Sequence, residues 1–158
     1  MDDDYLPSSD FLCSIANGQV PLSGNDFAEQ NLTLLIALTR DDDVSNRDWA
    51  TMLLAMQEID TPAVRAALLF ATGDTDSAVR AEALEGLAMR DKTLALPLIE
   101  RELSGEECAL GTFEAARLAA DPSLLPRLRK WKSISALSPH ILASISDAIA
   151  ACEASLDK

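Results

Sequence analysis

The run from Gly73 to Ala88, GDTDSAVRAEALEGLA, constrains the fold more than any other stretch, because its layout returns upstream and downstream. At a helical period Val79, Ala83, Leu84, Gly86 and Leu87 share one face, whereas Ala81, Glu82 and Glu85 share the other. Asp74 and Asp76 stand just ahead, where a carboxylate caps the first turn and meets the positive end of the helix dipole. A shift of 33 residues towards the N-terminus sets Asp41-Asp42-Asp43 on this acidic turn, Arg47 on Arg80, Ala50 on Ala83 and Leu54 on Leu87. A shift of 31 residues the other way sets Gly105-Glu106-Glu107 on the turn, Leu110 on Val79, Ala115 on Leu84 and Leu118 on Leu87. Shorter apolar helices lie between, over 62–70, 94–103 and 122–131, with Pro62 and Pro122 in first turns, where a missing N–H costs nothing. Two helices every 30 residues or so cannot bury their apolar faces alone, and successive layers must cover one another. The expected fold is all-α: a right-handed α-solenoid of three to four helix pairs with a C-terminal capping helix.

The run D-x-D-x-x-V-R-x-x-A-L-x-G-L-A, Asp74 to Ala88, resembles a HEAT-like repeat of the short bacterial type found in phycobilin-lyase relatives. The resemblance spans residues 27–132. It is strong in the central unit, fair in the first and degenerate in the third, where Gly111 replaces the arginine and Arg117 falls where Gly86 would be. It implies that the acidic turn residue and the helix arginine tie successive layers together, which assigns that role to Asp76 with Arg80 and to Asp43 with Arg47. It implies no activity, since a repeat does not confer one.

In chain order, a short helix is expected over 9–17 within a leader of residues 1–24, followed by repeats over 25–132. Helices are predicted at 25–39, 45–59, 62–71, 77–89, 93–103, 107–120 and 122–132. Residues 133–138 read as a linker. A last helix over 139–156, burying Ile141, Leu142, Ile145, Ile149 and Leu156, closes the stack of a single 158-residue domain. No apolar run is long enough for a membrane span. The acidic start, Met1 to Asp4, does not resemble a signal peptide. Cys13, Cys108 and Cys152 are odd in number and lack metal-ligand spacing, which fits reduced thiols in a cytoplasm.

The net charge is −13, and its distribution matters more than its total. Residues 1–60 carry twelve acids against Arg40 and Arg47, leaving −10, whereas residues 122–132 carry Arg127, Arg129, Lys130 and Lys132 with no acid, giving +4. Such a chain repels nucleic acid overall and attracts basic proteins. The basic run with Trp131 reads as a solvated face or as the partner of internal acids. Asp41-Asp42-Asp43 reads as a helix cap, because the oxygen-ligand pattern of a calcium loop is absent. His140 has no nucleophile near it in sequence, and neither a Gly-x-Ser-x-Gly run nor a phosphate-cradling glycine loop occurs, so no catalytic residue, cofactor or metal is expected.

The repeat register sets Trp49 and Phe113 at the outward place of Glu82, and Met52 and Ala116 at that of Glu85. One surface is therefore expected to carry Asp48, Trp49 and Met52, then Glu82 and Glu85, then Phe113, the alternative being that Trp49 and Phe113 tuck into degenerate layers as ordinary core. Large apolar groups beside carboxylates serve as anchors with charge for selectivity. The function expected is a non-catalytic binding protein, monomeric when unbound, with a basic protein partner and neither nucleic acid nor membrane. The specific form favoured is an immunity protein that neutralises a nuclease-type bacterial toxin. The alternatives are a scaffold holding a cellular protein and, more remotely, a lyase or glycosylase-like enzyme.

Overall fold

Nearly every helix starts where a side-chain oxygen takes up a free amide. Ser9, Asn25, Asp43, Thr61, Asp76, Asp91 and Ser138 each accept from a backbone N–H two or three residues on. The computed structural model describes residues 5–157, and the expected acidic leader over residues 1–4 lies outside them. Among the described residues every regular element is helical. They are α1 (Asp10–Ala16), α2 (Asp26–Leu38), α3 (Val44–Ala55), α4 (Pro62–Ala71), α5 (Ser77–Arg90), α6 (Lys92–Leu103), α7 (Leu110–Ala119), α8 (Leu125–Lys132, after a 3-10 turn at Pro122–Leu124) and α9 (Pro139–Ala154).

The helices pair as α2/α3, α4/α5, α6/α7 and α8/α9, and the second members α3, α5, α7 and α9 stack side by side in one row, with α1 against α3. This is an α-solenoid of four pairs whose last helix lies on α7. One apolar core runs the length of the stack, through Leu12, Leu54, Leu68, Leu84, Leu87, Ile99, Phe113, Leu128 and Ile145, all fully buried. Small residues set how closely the row packs. A Cβ on Gly86 would lie 2.8 Å from Ala55 Cβ and 3.1 Å from Leu68 Cδ1, and one on Gly111 would lie 3.3 Å from Ala81 Cβ. Ala81, expected on the outward face, is therefore buried at the contact with α7.

Two arginines bind the layers, with partners that differ from the expected ones. Arg47 Nη1 donates to the carbonyls of Asp41 and Asp42 at 3.0 and 3.2 Å, while its Nε and Nη2 reach forward to Asp74 at 2.8 and 3.2 Å. Arg80 repeats the arrangement: Nη1 holds the carbonyls of Asp74 and Thr75 at 3.0 and 3.1 Å, and Nε faces Glu102 of α6 at 3.0 Å. The carboxylates that complete the ties are thus Asp74 and Glu102. Asp43 and Asp76 instead cap their own helices, because their short side chains fold back on the first-turn amides of residues 45 and 78. At the start of the stack, where no earlier arginine reaches Asp41, Asn46 Nδ2 donates to it at 3.2 Å while Asn46 Oδ1 accepts from the Ser9 amide at 3.0 Å.

The third unit departs furthest from expectation. Its helix starts at Leu110 rather than 107, Ala109 provides no side-chain cap, and the Gly105-Glu106-Glu107 turn caps nothing. Buried positions 112, 113, 115 and 116 take the places of 83, 84, 86 and 87. Phe113 therefore occupies the site of Leu84 and Ala116 that of Leu87, and neither faces outward. Phe113 is 1% exposed and meets the edge of Trp131 with centroids 5.8 Å apart. Leu156, expected in the core of the last helix, lies beyond its end and is exposed.

Arg90 closes a further contact that sequence periodicity did not mark. Its guanidinium donates to the carbonyls of Leu54, Ala55, Gln57, Ile59 and Gly86, which satisfies the unpaired end of α3. Burial lowers its pKa from the ordinary arginine value.

Removing Arg47 leaves Asp74, only 9% exposed at its side chain, without its cation. Arg47→Met is expected to lower stability in urea by about 2–4 kcal/mol. Arg65→Met, at the exposed pairs with Asp60 and Asp91, should cost under about 1 kcal/mol. Gly86→Ala should cost about 1–3 kcal/mol through overpacking against Ala55, despite a helix-propensity gain of up to about 1 kcal/mol; equal thermal midpoints for wild type and variant would contradict this packing.

Candidate functional site

Once the row is in register, the outward stripes of three helices lie side by side. On α3 the stripe is Trp49, Met52 and Met56. On α5 it is Glu82, Glu85 and Met89, and on α7 it is Gly111, Glu114 and Leu118. Each stripe follows the i, i+3, i+7 spacing of a single helix face. Gly111 thus stands beside Glu82 where Phe113 was expected, and Glu114 stands beside Glu85 where Ala116 was expected. The slip of the buried positions in α7 moves the aromatic inward and its neighbour outward.

The carboxylates of this face are half-buried and crowd one another. Burial, then the charges of Glu85 and Asp48, push the Glu82 carboxyl up to about 7. Glu85 is raised by burial and by Glu114, and Arg117 opposes the shift. Asp48 is raised by burial and by Asp76 and Asp74, against the lowering effect of its hydrogen bond with Tyr5. Glu114 alone is lowered, because Arg117 Nε donates to its Oε2 at 2.8 Å. The Glu85 carboxylate lies over Gly111, where a Cβ would stand 3.6 Å from Oε2. An acidic ladder of Asp48, Glu82, Glu85 and Glu114 therefore crosses three layers, with one paired arginine at its far end.

Trp49 and Met52 adjoin this ladder in a more covered state than the sequence indicates. Both are half-buried and packed on the core. Trp49 Nε1 donates to the Tyr5 carbonyl at 3.1 Å, and the indole lines a cavity with Leu6, Pro7 and Cys13. Residues 5–7 and α1 thus cover part of the first stripe. Burial and the Asp48 carboxylate push the Tyr5 phenol up to about 12.

Two of the four cations of the basic run are engaged internally. Arg127 Nε donates to Ser104 Oγ at 2.8 Å and its Nη1 lies 3.5 Å from Glu100, while Arg129 pairs with Glu153 at 2.9 Å. Trp131 turns inward, its Nε1 donating to the Leu103 carbonyl at 2.8 Å. Among the described residues no group of three or more His, Cys, Asp or Glu side chains is placed to hold a metal ion, and no helix is long and apolar enough to cross a membrane.

Residues 31–107 match the family described as HEAT repeats, a stretch that runs from α2 to the turn before α7 and carries both arginine ties. The X-ray structure of YibA from E. coli superposes with a TM-score of 0.58 at 22% identity, over 85% of this chain and 53% of that one. This chain therefore spans about half the length of that protein, and at such identity the likeness speaks for the fold. No curated protein matches the chain.

The raised Glu82 carboxyl has a consequence for stability against pH. A carboxyl whose folded pKa lies above its unfolded value of about 4.3 binds its proton better in the native state. Its stabilisation is complete below the unfolded pKa and is lost as pH rises through about 7. Glu82→Gln should therefore match wild type near pH 4 and be more stable at pH 8. The expected gain is about 1–2 kcal/mol after allowance for solvent screening, measured by urea unfolding at both pH values.

Proposed function

We propose that the chain is a non-catalytic protein-binding module that docks its α3–α5–α7 face on a basic surface of another protein. The observation that carries this reading is the ladder of Asp48, Glu82, Glu85 and Glu114. Three of its four members have raised pKa values, through burial and mainly acidic neighbours. Cationic side chains from a partner relieve that repulsion and exchange it for charge-assisted hydrogen bonds. Extended faces of stacked helices are the surfaces by which solenoids bind, and the match to HEAT repeats supports the same class of function.

Within this class we favour an immunity protein that neutralises a nuclease-type bacterial toxin. A nuclease must present cations to hold its phosphodiester substrate. An acidic face of this kind fits over such a site or its entrance and accelerates the encounter. The unpaired cysteines 13, 108 and 152 accord with work in a reducing cytoplasm. The second reading is a scaffold for a cellular protein, which the repeat architecture supports equally.

Co-expression with the toxin-like product of a neighbouring gene tests the specific form. A stable complex and rescue of growth are expected. Absence of both removes the toxin claim, while capture of a different basic protein through the same face would establish the scaffold. With any such partner, Glu82→Lys/Glu85→Lys should weaken binding about 100-fold or more, near 3 kcal/mol. Circular dichroism of the free variant should be unchanged, and wild-type affinity should fall as salt rises.

A further inference from the structure

The docking face carries two parallel rows with different chemistry. One row runs from Met52 on α3 through Glu85 on α5 to Glu114 on α7 and is acidic over its last two layers, with Glu82 one turn before Glu85 on the same helix. The other lies one helical turn away, at the C-terminal ends of the same three helices, and consists of Met56, Met89 and Leu118. Met56 is 66% exposed and Met89 57% exposed, high for large apolar side chains, whereas Leu118 is half-buried against the core. Arg90 holds these two ends together, since it binds the carbonyls of Leu54, Ala55 and Gln57 from its place beside Met89. The apolar row is thus a built feature of the layer contact.

Packed helices lie about 8–10 Å apart, so three layers span about 20 Å from the first axis to the last. A helix laid across them advances about 10 Å in seven residues and covers the face with about 14. Its residues i and i+7 would then meet successive layers. The two rows are separated by one turn, about 5–6 Å, which suits a rod about 10 Å wide that touches both with adjoining flanks. A strand would turn alternate side chains away and meet only one row at a time. Methionine side chains are unbranched and polarisable, and adapt to differing apolar contours.

We infer that this face receives one amphipathic helix of a basic partner, laid across the stack. Two of its lysines or arginines, seven residues apart, stand over Glu85 and Glu114, with Glu82 one turn away along α5, and its apolar stripe rests on Met56, Met89 and Leu118. This rests on the reading that the face binds a basic protein, and it specifies the shape of what binds. The charged groups that face Glu82 and Glu85 are Asp48 from α3, and Glu114 and Arg117 from α7. Arg117 also feels Asp147 of α9. The incoming cations therefore meet a surface whose summed charge is negative, with the acid of α7 balanced by its own arginine.

The probe is a fluorescein-labelled 16-residue synthetic helix with two lysines seven residues apart and leucines along the adjoining flank, read by fluorescence anisotropy at pH 8. A scrambled peptide of equal composition is the control. The designed helix should bind at least tenfold more tightly than the scrambled one. Glu82→Gln/Glu85→Gln and Met56→Ser/Met89→Ser should each weaken it about tenfold, with the circular dichroism of both variants unchanged. Equal binding of the scrambled peptide, or indifference to the methionine pair, overturns the inference and leaves only charge attraction. If a natural basic partner needs Glu82 and Glu85 while the helix fails to bind, the helix inference falls and the proposed function stands. If neither ligand needs these carboxylates, both fall.

Discussion

Ala55 and Gly86 meet with no room for another methyl group between them, and Ala81 and Gly111 repeat the contact one layer on. These close approaches determine the spacing and register of α3, α5 and α7, and with them the alignment of three outward stripes into one face. Side chains of ordinary size at Gly86 or Gly111 would separate the helices and break the correspondence between Trp49, Glu82 and Gly111. The core residues supply the driving force by leaving water, but small residues at the row contacts decide how the layers sit.

Across those contacts the arginines act as fasteners of a consistent design. Arg47 and Arg80 each hold two carbonyls of their own turn and one carboxylate of the next layer. The guanidinium suits this work, because its fixed fork of donors serves several acceptors at once. Asp74 shows the balance in such a tie. Burial opposes its ionisation, yet the hydrogen bond from Arg47 and the Asp76 amide outweigh that opposition and leave its pKa lowered. On the outward face the balance runs the other way. Glu82 and Glu85 have burial without an assigned cation, and their pKa values rise. A carboxylate thus serves architecture where an arginine is supplied and is left half-buried without a cation where none is.

Charge placement also accounts for part of the basic α8. Two of its four cations answer Glu100 and Glu153 within the chain, and Trp131 lies edge-on to Phe113 instead of offering a free face for base stacking. The acidic surplus remains on the α3–α5–α7 side, where apolar side chains accompany it.

Periodicity in the sequence was sufficient for the helices, their pairing and their stacking. Alternation of apolar and polar groups at 3.6 residues is a local property, and a repeated local property forces layers. It was sufficient too for Glu82 and Glu85 as outward carboxylates, since the central unit departs little from its own pattern. Which carboxylate each arginine takes was beyond its reach. Asp74 and Asp76 stand two residues apart, and only the packed layers separate the cap from the tie. Phe113 and Glu114 were likewise decided by tertiary structure. Without a capping residue at Ala109, the register of α7 is set by what its side chains fill, and an aromatic ring gains more beside Trp131 than in water. Arg90, Met56 and Met89 complete the list of residues whose roles depend on neighbours some 30 positions away, a distance at which local pattern carries no information about contact.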